Sequence, residues 1–494
     1  MAEEEAKASS VGNSAARGAM WNIGASVGAR VIGLVGTLYM TRLLAPDVIG
    51  EVSAAAVLAN SASWFSHLGF NQYMVTKARE SRELTYHVAV VNTVFAIVGL
   101  TAIAFTGSLF APVFSAPNLA AYLPGLALSV LIRRLGGVAD KVLVRDLRFR
   151  EVALAGAAGE LAFSVSAVTL AATTKLGGQA IVIGNLIQAV ITTGLVLRAT
   201  GFGWFSRSPW SWAHTKDIFR YGIPLGVAQV LNSASRYWDN LEFSAFFGRK
   251  VLGLYNMAYN LADIPAVQFG EQIAGVLLPA MQKVSPADRK RAVVRASALL
   301  ALVVFPMAIG LGAIAQSLIG ALLRPEWQGV APLLTVLSAL SVFRPLTWVF
   351  SSYLNTYGRN RTLMILEAIK LALLLGCIAA FAKWGPLWSA GAVGLAFAVH
   401  ALMMATLVVV TDGISARELA SGFFRPIVAC LIMAAAVIGV RHGLVARGVK
   451  SQWVLLIVET TVGGLVYIPA ALLVARETSL EFLQRVRKAL KRGD

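Results

Sequence analysis

Apolar residues in this chain come in long runs, roughly 20–28 residues each, separated by short polar breaks from end to end. A hydrocarbon core about 30 Å thick needs about 20 helical residues at 1.5 Å each, so runs of this length predict membrane-spanning helices. We place them at 17–44, 50–76, 85–110, 118–140, 149–174, 177–199, 217–247, 251–281, 292–322, 329–357, 360–383, 387–411, 421–442 and 452–475. The pattern predicts an all-α polytopic membrane protein with about 14 transmembrane helices.

Two turns in this series match. Leu44-Ala45-Pro46-Asp47-Val48-Ile49-Gly50 joins spans one and two, and Phe247-Gly248-Arg249-Lys250-Val251-Leu252-Gly253 joins spans seven and eight, with Gly in the same closing place. Between them, residues 201–216 hold Trp204, Phe205, Trp210 and Trp212 beside Arg207 and Pro209, a composition suited to the headgroup region. This predicts two six-helix lobes of like topology plus two C-terminal helices around a central cavity. The expected organisation is a cytoplasmic N-terminal tail (1–16), an N-lobe (17–200), an interfacial linker (201–216), a C-lobe (217–411), spans thirteen and fourteen (412–476) and a basic amphipathic cytoplasmic tail (477–494). In the tail, Thr478 and Glu481 have capping-box spacing, and Leu480, Leu483, Val486 and Leu490 share one helix face.

Composition sharpens the class. The chain is 57% hydrophobic and 14% charged, against about 25% charged in soluble domains. A formal net charge of +18 raises nucleic acid as a partner. The positions of the charges exclude it, because they gather in alternate short loops. Arg133, Arg134, Lys141, Arg145, Arg148 and Arg150 flank one side, as do Lys283, Arg289, Lys290, Arg291 and Arg295, whereas the opposite side carries only Arg42, Lys175, Arg249, Lys250, Arg324, Lys383, Arg441, Arg447 and Lys450. This is the positive-inside pattern of a multi-pass protein with both termini in the cytoplasm. No secretory signal peptide is read at the N-terminus, and Cys377 and Cys430, both within apolar runs, read as small buried residues.

Four basic residues are left near mid-span: Arg30, Arg236, Arg344 and Lys370. A charge at bilayer depth costs roughly 2.5–3.5 kcal/mol on insertion scales, so such residues mark polar interiors or wet cavities. Span seven places Asn232, Arg236 and Asn240 at i, i+4, i+8, with Asp239 one turn from Arg236 and Glu242 beyond. Span one places Asn22, Ser26 and Arg30 on one face, with Arg30 about 20 Å from the span's start. It suits either a cavity lining or a structural bond to the carbonyls of a broken helix. Span eight carries Tyr255, Asn256, Tyr259, Asn260 and Asp263, then Pro265 and Glu271. The two tyrosines suit either stacking on sugars or interfacial anchoring. In spans ten and eleven, Arg344 has no acid in its own span, while Glu367 and Lys370 are spaced as an intrahelical ion pair. Glu160, Ser164, Asn185 and Gln188 read as helix–helix packing contacts. The excess of mid-span bases implies an anionic cargo bound by Arg30, Arg236 and Arg344 with Asn22, Asn232 and Asn240. Asp239, Asp263, Glu271 and Glu367 are the acids suited to carrying a proton or sodium ion.

Other chemistry is missing from the pattern. No nucleotide-binding G-x-x-x-x-G-K-[ST] occurs, and the five histidines lack ligand spacing, so no metal or other cofactor is expected. Short outward loops leave no room for a soluble active site. The expectation is a transporter and not an enzyme.

Several stretches together resemble Wzx-type flippases of lipid-linked polysaccharide repeat units, within the multidrug/oligosaccharidyl-lipid/polysaccharide superfamily. They are Arg42 to Gly50, similar to an R-x-L-x-P-x-x-x-G turn, then Leu147-Arg148-Phe149-Arg150, Tyr221-Gly222-Ile223-Pro224-Leu225 and Arg236 to Asn240. Leu252-Gly253-Leu254-Tyr255, Ala258-Tyr259, Val276-Leu277-Leu278-Pro279 and Pro325-Glu326-Trp327 follow. The set runs in order over residues 17–360 and is most similar to the colanic-acid-exporter-like branch. The resemblance implies alternating access in the bacterial inner membrane. Its implied cargo is undecaprenyl-diphosphate-linked oligosaccharide, for exopolysaccharide, O-antigen or capsule synthesis, with ion coupling. The implied partners are membrane lipids and the polymerase and chain-length or export proteins of the same pathway. By resemblance, Arg30 and Arg236 engage the anionic headgroup or acidic sugars. The rival readings are a peptidoglycan-precursor flippase, which differs in cargo, a multidrug antiporter, and a membrane-embedded polymerase with a large periplasmic loop.

Overall fold

The computed structural model describes residues 32–67, 82–146, 148–201, 208–265, 285–357 and 359–491, together with Gly28. Among these, every regular element is helical. The chain groups into two compact units, Met1–Gly253 and Leu254–Asp494.

In the first unit residues 32–40 are helical. They are followed by α1 (Pro46–His67), α2 (Arg82–Thr106), α3 (Leu119–Arg145), α4 (Phe149–Thr173), α5 (Gln179–Thr200) and the start of α6 (Trp212–Pro265). As one rod, the 54 residues of α6 would reach about 80 Å, far beyond a bilayer. Gly248 breaks it at φ 79°, ψ 170°, a conformation that a side chain would strain, so α6 is two spans joined at the expected turn.

The two matching turns touch. A Cβ on Gly50 would strike the backbone carbonyl of Arg249, and a Cβ on Gly253 the carbonyl of Pro46. Each turn thus uses its closing glycine to admit the other's main chain. Charge completes the contact. The Arg249 guanidinium donates to Glu51, whose side chain is 2% exposed, and lies 3.9 Å from Asp47. The hydrogen bond to Glu51 raises the Arg249 pKa from its ordinary value.

Lipid tails are as apolar as leucine, so helices in a bilayer associate by close packing and hydrogen bonds. Accordingly α3, α4 and α5 meet at small residues: Gly136 lies against Thr193, Gly159 against Thr192, and Gly184 against Ala167 and Phe163. The helix at 32–40 docks on α4, with Gly33 at Glu160 and Gly36 at Ser164, and Ser164 Oγ donates to the Ile32 carbonyl at 3.4 Å. In the sequence, Gly24 and Gly28 have the GxxxG spacing that favours close helix contact. Gly24 lies outside the described residues, and the contact seen is at Gly33 and Gly36.

The second unit comprises α7 (Pro286–Ala313), α8 (Ala315–Leu322), α9 (Val330–Leu340), α10 (Phe343–Thr356), α11 (Asn360–Phe381), α12 (Pro386–Asp412), α13 (Ala416–Ala446), α14 (Gln452–Val474) and α15 (Arg476–Lys491). Local signals set the helix starts. Ser285 caps α7 by accepting from the Asp288 N–H at 3.2 Å with Pro286 in the first turn, and Ser415 caps α13 by accepting from Glu418 at 3.3 Å. The predicted ninth and tenth spans are each interrupted, at Ile314 and at Ser341–Val342. The core of this unit holds Leu300, Phe305, Val349, Phe350, Tyr353, Met404, Cys430 and Met433. At the end of α12 a two-pronged ion pair fixes the turn before α11: Arg359 Nη2 meets Asp412 Oδ1 at 2.9 Å and Nη1 meets Oδ2 at 3.0 Å.

Ten described stretches are long and apolar enough to cross a membrane, and they coincide with expected spans three to six and nine to fourteen. Span seven lies within α6; spans one, two and eight run on into residues outside the description. Large apolar side chains cover the outer faces, Phe105 at 83%, Val410 at 75% and Leu473 at 81% exposed, as suits contact with lipid. α15 begins at Arg476, so Thr478 lies inside its first turn instead of capping it. What anchors the helix is Ser479, whose hydroxyl donates to the Ala471 carbonyl at 3.0 Å.

Because a main-chain atom, not a flexible side chain, opposes Gly253, Gly253→Ala is expected to destabilise by about 1–3 kcal/mol. The midpoint of heat denaturation in detergent measures this. Gly439→Ala, where nothing lies within 4 Å of an added Cβ, is expected to leave the midpoint unchanged or raise it.

Candidate functional site

The second unit gathers charge inside its spans. Arg344 stands in the first turn of α10, directly after the break from α9, where Pro345 costs no helical hydrogen bond. The start of that half-helix carries partial positive charge, and the Arg344 N–H is itself bonded to the Ser341 carbonyl at 3.2 Å. The answering group is Asp263 near the end of α6, with Arg344 Nη1 2.5 Å from Asp263 Oδ1. The guanidinium also lies over two rings, 4.4 Å from the centroid of Tyr259 and 4.3 Å from that of Phe397. Arg344, read from sequence as lacking an acid in its own span, is therefore neutralised from span eight. That removes the cationic excess expected at span ten.

On the next helix Lys370 pairs with Glu367, one turn apart. Lys370 Nζ lies 5.5 Å from the Phe397 centroid, so a single ring serves both cations. The second oxygen of Glu367 faces His400 Nε2 of α12 at 3.7 Å. The side chains of Lys370, Glu367 and His400 are 6%, 14% and 1% exposed. This one connected group thus contains the candidate residues Arg344, Asp263 and Glu367. Tyr255 and Tyr259 are buried and lie tilted against each other with ring centroids 5.7 Å apart, so here they offer no open sugar platform.

The first unit holds a second polar region. In α6, Asp239 and Asn240 are 0% and 2% exposed, and Asp239 Oδ1 accepts from the Asn240 backbone at 2.9 Å and side-chain amide at 3.1 Å. Arg236 is half-buried on the same helix. Trp238 Nε1 donates to Ser61 Oγ of α1 at 3.0 Å, and Ser244 Oγ to the Phe114 carbonyl at 2.6 Å. Asn22, Arg30 and Glu271, and the side chain of Asn232, lie outside the described residues.

Three features escaped the sequence reading. Arg133 and Arg134, counted there as inner-loop flanks, sit within α3, about 21 Å from Leu119. Arg133 Nη1 donates to Gln188 Oε1 at 3.4 Å, Gln188 Nε2 to Glu160 Oε2 at 2.8 Å, and Arg134 Nε to Ser63 Oγ at 2.6 Å. Their position in the run at 118–140 was the available signal, overridden by the basic cluster that follows. His400, dismissed for want of ligand spacing, meets its partner from another helix, so no spacing along the chain reveals it. At the last two spans, Ser317 Oγ of α8 donates to Glu459 Oε1 of α14 at 2.8 Å, and Arg441 Nη1 of α13 lies 2.6 Å from that hydroxyl and 3.4 Å from the fully buried carboxylate.

Removing one member of a buried pair strands the other, at a cost of about 3–5 kcal/mol, whereas replacing both with apolar groups is far cheaper. Asp263→Leu and Arg344→Met are each expected to lower the heat-denaturation midpoint strongly, and the double variant to fall less than either. Additive losses in that double-mutant cycle are the contrary result.

Residues 39–332 match the family described as polysaccharide biosynthesis protein. The lipopolysaccharide biosynthesis protein WzxC of Escherichia coli (strain K12) is 23% identical over 335 residues, covering 66% of this chain and 67% of that protein. The succinoglycan biosynthesis transport protein ExoT of Rhizobium meliloti (strain 1021) is 24% identical over 478 residues, 94% of each. In fold, the chain is similar to the lipid II flippase MurJ in an inward closed conformation, with TM-score 0.75 and 14% identity over 92% of this chain and 98% of that one. It is also similar to an inward-facing multidrug resistance MATE family transporter, with TM-score 0.54 and 15% identity over 80% and 96%. With the match over residues 39–332 covering more than half its length, this helical multi-pass chain belongs to the polysaccharide biosynthesis protein family as a Wzx-type flippase, a transporter and not an enzyme.

Proposed function

We propose that this protein flips undecaprenyl-diphosphate-linked oligosaccharide repeat units from the cytoplasmic to the periplasmic face of a bacterial inner membrane, with both termini in the cytoplasm. The observation that carries the reading is the placement of Arg344 at the N-terminus of a half-helix inside the spans, held by Asp263 and two rings. A guanidinium and a helix N-terminus converging on one point suit a diphosphate, and Asp263 stands where that anion would displace it. By resemblance, Arg236 and Arg30 are further candidates to engage the anionic cargo. Asn22, Asn232 and Asn240 supply hydrogen bonds for sugar hydroxyls. Coupling to a proton or sodium ion falls to acids among Asp239, Asp263, Glu271 and Glu367.

Alternating access is supported by the Gly50–Gly253 contact and its Arg249–Glu51 pair, which read as an outward closure that opens when the charges part. Arg249→Glu is expected to lower export several-fold, and the swapped variant, Arg249→Glu with Glu51→Arg, to restore part of it. Failure of the swap to restore any export would leave the pair no role in closure.

Lipid-linked intermediates measured by leaflet test the main reading. Loss of the protein is expected to accumulate complete repeat units on the cytoplasmic face; unchanged polymer synthesis overturns the reading. Arg236→Ala is expected to abolish export while Arg236→Lys retains part. Wild-type export from both removes Arg236 from the cargo path.

A further inference from the structure

The turn between α13 and α14 runs against the charge bias of the chain. The side opposite the termini carries nine basic residues, and Arg441, Arg447 and Lys450 at this one turn are three of them. Outward loops keep few basic residues, so a cluster retained there calls for a use. Acids do not supply it. Glu459 is the sole acid between Glu418 and Glu477, and it is fully buried and already meets Arg441. Arg447 and Lys450 are exposed, and neither side chain makes an ion pair or hydrogen bond with any described residue. The backbone fixes where they stand. Gly448 turns the chain at φ 84°, its N–H bonding the Val445 carbonyl at 3.0 Å and the Val449 N–H the Leu444 carbonyl at 3.1 Å. Around this closed turn Val445, Trp453, Val454 and Ile457 are exposed apolar side chains at the ends of two spans. A tryptophan at a span's start is a mark of the membrane–water interface.

We propose that this turn binds the phosphodiester headgroup of an anionic membrane lipid between Arg447 and Lys450. The guanidinium takes two phosphate oxygens in its planar fork, and the ammonium adds a point charge. The acyl chains lie against the exposed apolar side chains of the two helix ends. A free inorganic anion would answer the cations and leave that apolar collar unused, so the lipid is the ligand that both features fit. Nothing in the site depends on the charge of the cargo. With both termini in the cytoplasm, as proposed above, the bound lipid belongs to the periplasmic leaflet.

The test reconstitutes the full chain in phosphatidylcholine vesicles that hold either brominated phosphatidylglycerol or brominated phosphatidylcholine as quencher. The fluorescence of Trp453 is taken as the difference between each protein and the same protein carrying Trp453→Phe. Brominated phosphatidylglycerol is expected to quench Trp453 at a mole fraction about fivefold lower than brominated phosphatidylcholine. Arg447→Gln with Lys450→Gln is expected to bring the two curves together, and Lys175→Gln with Lys383→Gln, at other turns of that side, to leave them apart. Curves that coincide in wild type, or stay apart in the Arg447 and Lys450 double variant, overturn the proposal. Collapse in both double variants reduces the effect to general surface charge and likewise overturns it. Inorganic phosphate, compared with chloride at equal ionic strength, is expected to leave the wild-type separation unchanged. Its loss with phosphate makes a free anion the ligand and overturns the assignment to a lipid.

Discussion

A charge inside a bilayer must be answered within a few ångströms by another charge, a ring face or a hydrogen bond, because no water is there to answer it. Arg344 with Asp263, Lys370 with Glu367, and Arg441 with Ser317 and Glu459 each meet that demand with partners in the same helix or in neighbouring ones. The requirement also shapes the backbone. α9 and α10 separate at Ser341–Val342, which puts a helix N-terminus and an arginine at the same depth. The acid that balances them comes from a helix more than seventy residues earlier in the chain.

Such pairs stabilise only as pairs. Each fixes which helices are neighbours, since a wrong neighbour leaves a bare charge in hydrocarbon. The apolar contacts around them are less selective: Leu, Val and Phe pack against lipid nearly as well as against each other. Gly136, Gly159 and Gly184 add shape where charge is missing, by letting α3, α4 and α5 approach at small residues. Specificity of assembly thus rests on a few polar groups and a few glycines within a mostly interchangeable apolar mass.

The architecture was legible in the sequence because its determinant, twenty apolar residues in a row, is local. The expected spans three to six and nine to fourteen fall on helices, and the turn broken at Gly248 was visible from the likeness of Phe247–Gly253 to Leu44–Gly50. The site was legible only in part. Arg344, Asp263, Glu367 and Lys370 stood out because each is anomalous in its own run. The Glu367–Lys370 pair could be read from its spacing, but the pairing of Arg344 with Asp263 could not, since which acid meets Arg344 depends on helix neighbours that no single run encodes. His400 is the clearest case: an isolated histidine in an apolar helix carries no signal until Glu367 is brought beside it. Arg133 and Arg134 misled for the opposite reason, sitting close to a true loop cluster and taking its meaning.

The contact between the two glycine turns also sets a timetable. Glu51 and Arg249 are separated by 198 positions. At a synthesis rate of about 5–20 residues per second, Glu51 waits roughly 10–40 seconds for its cation to be made. During that interval five further spans enter the membrane while the start of α1 carries an unanswered acid. The first unit cannot reach its final packing until its seventh span has been inserted, so a chain that stalls before Arg249 has its early helices in place and a buried acid with no cation to meet it.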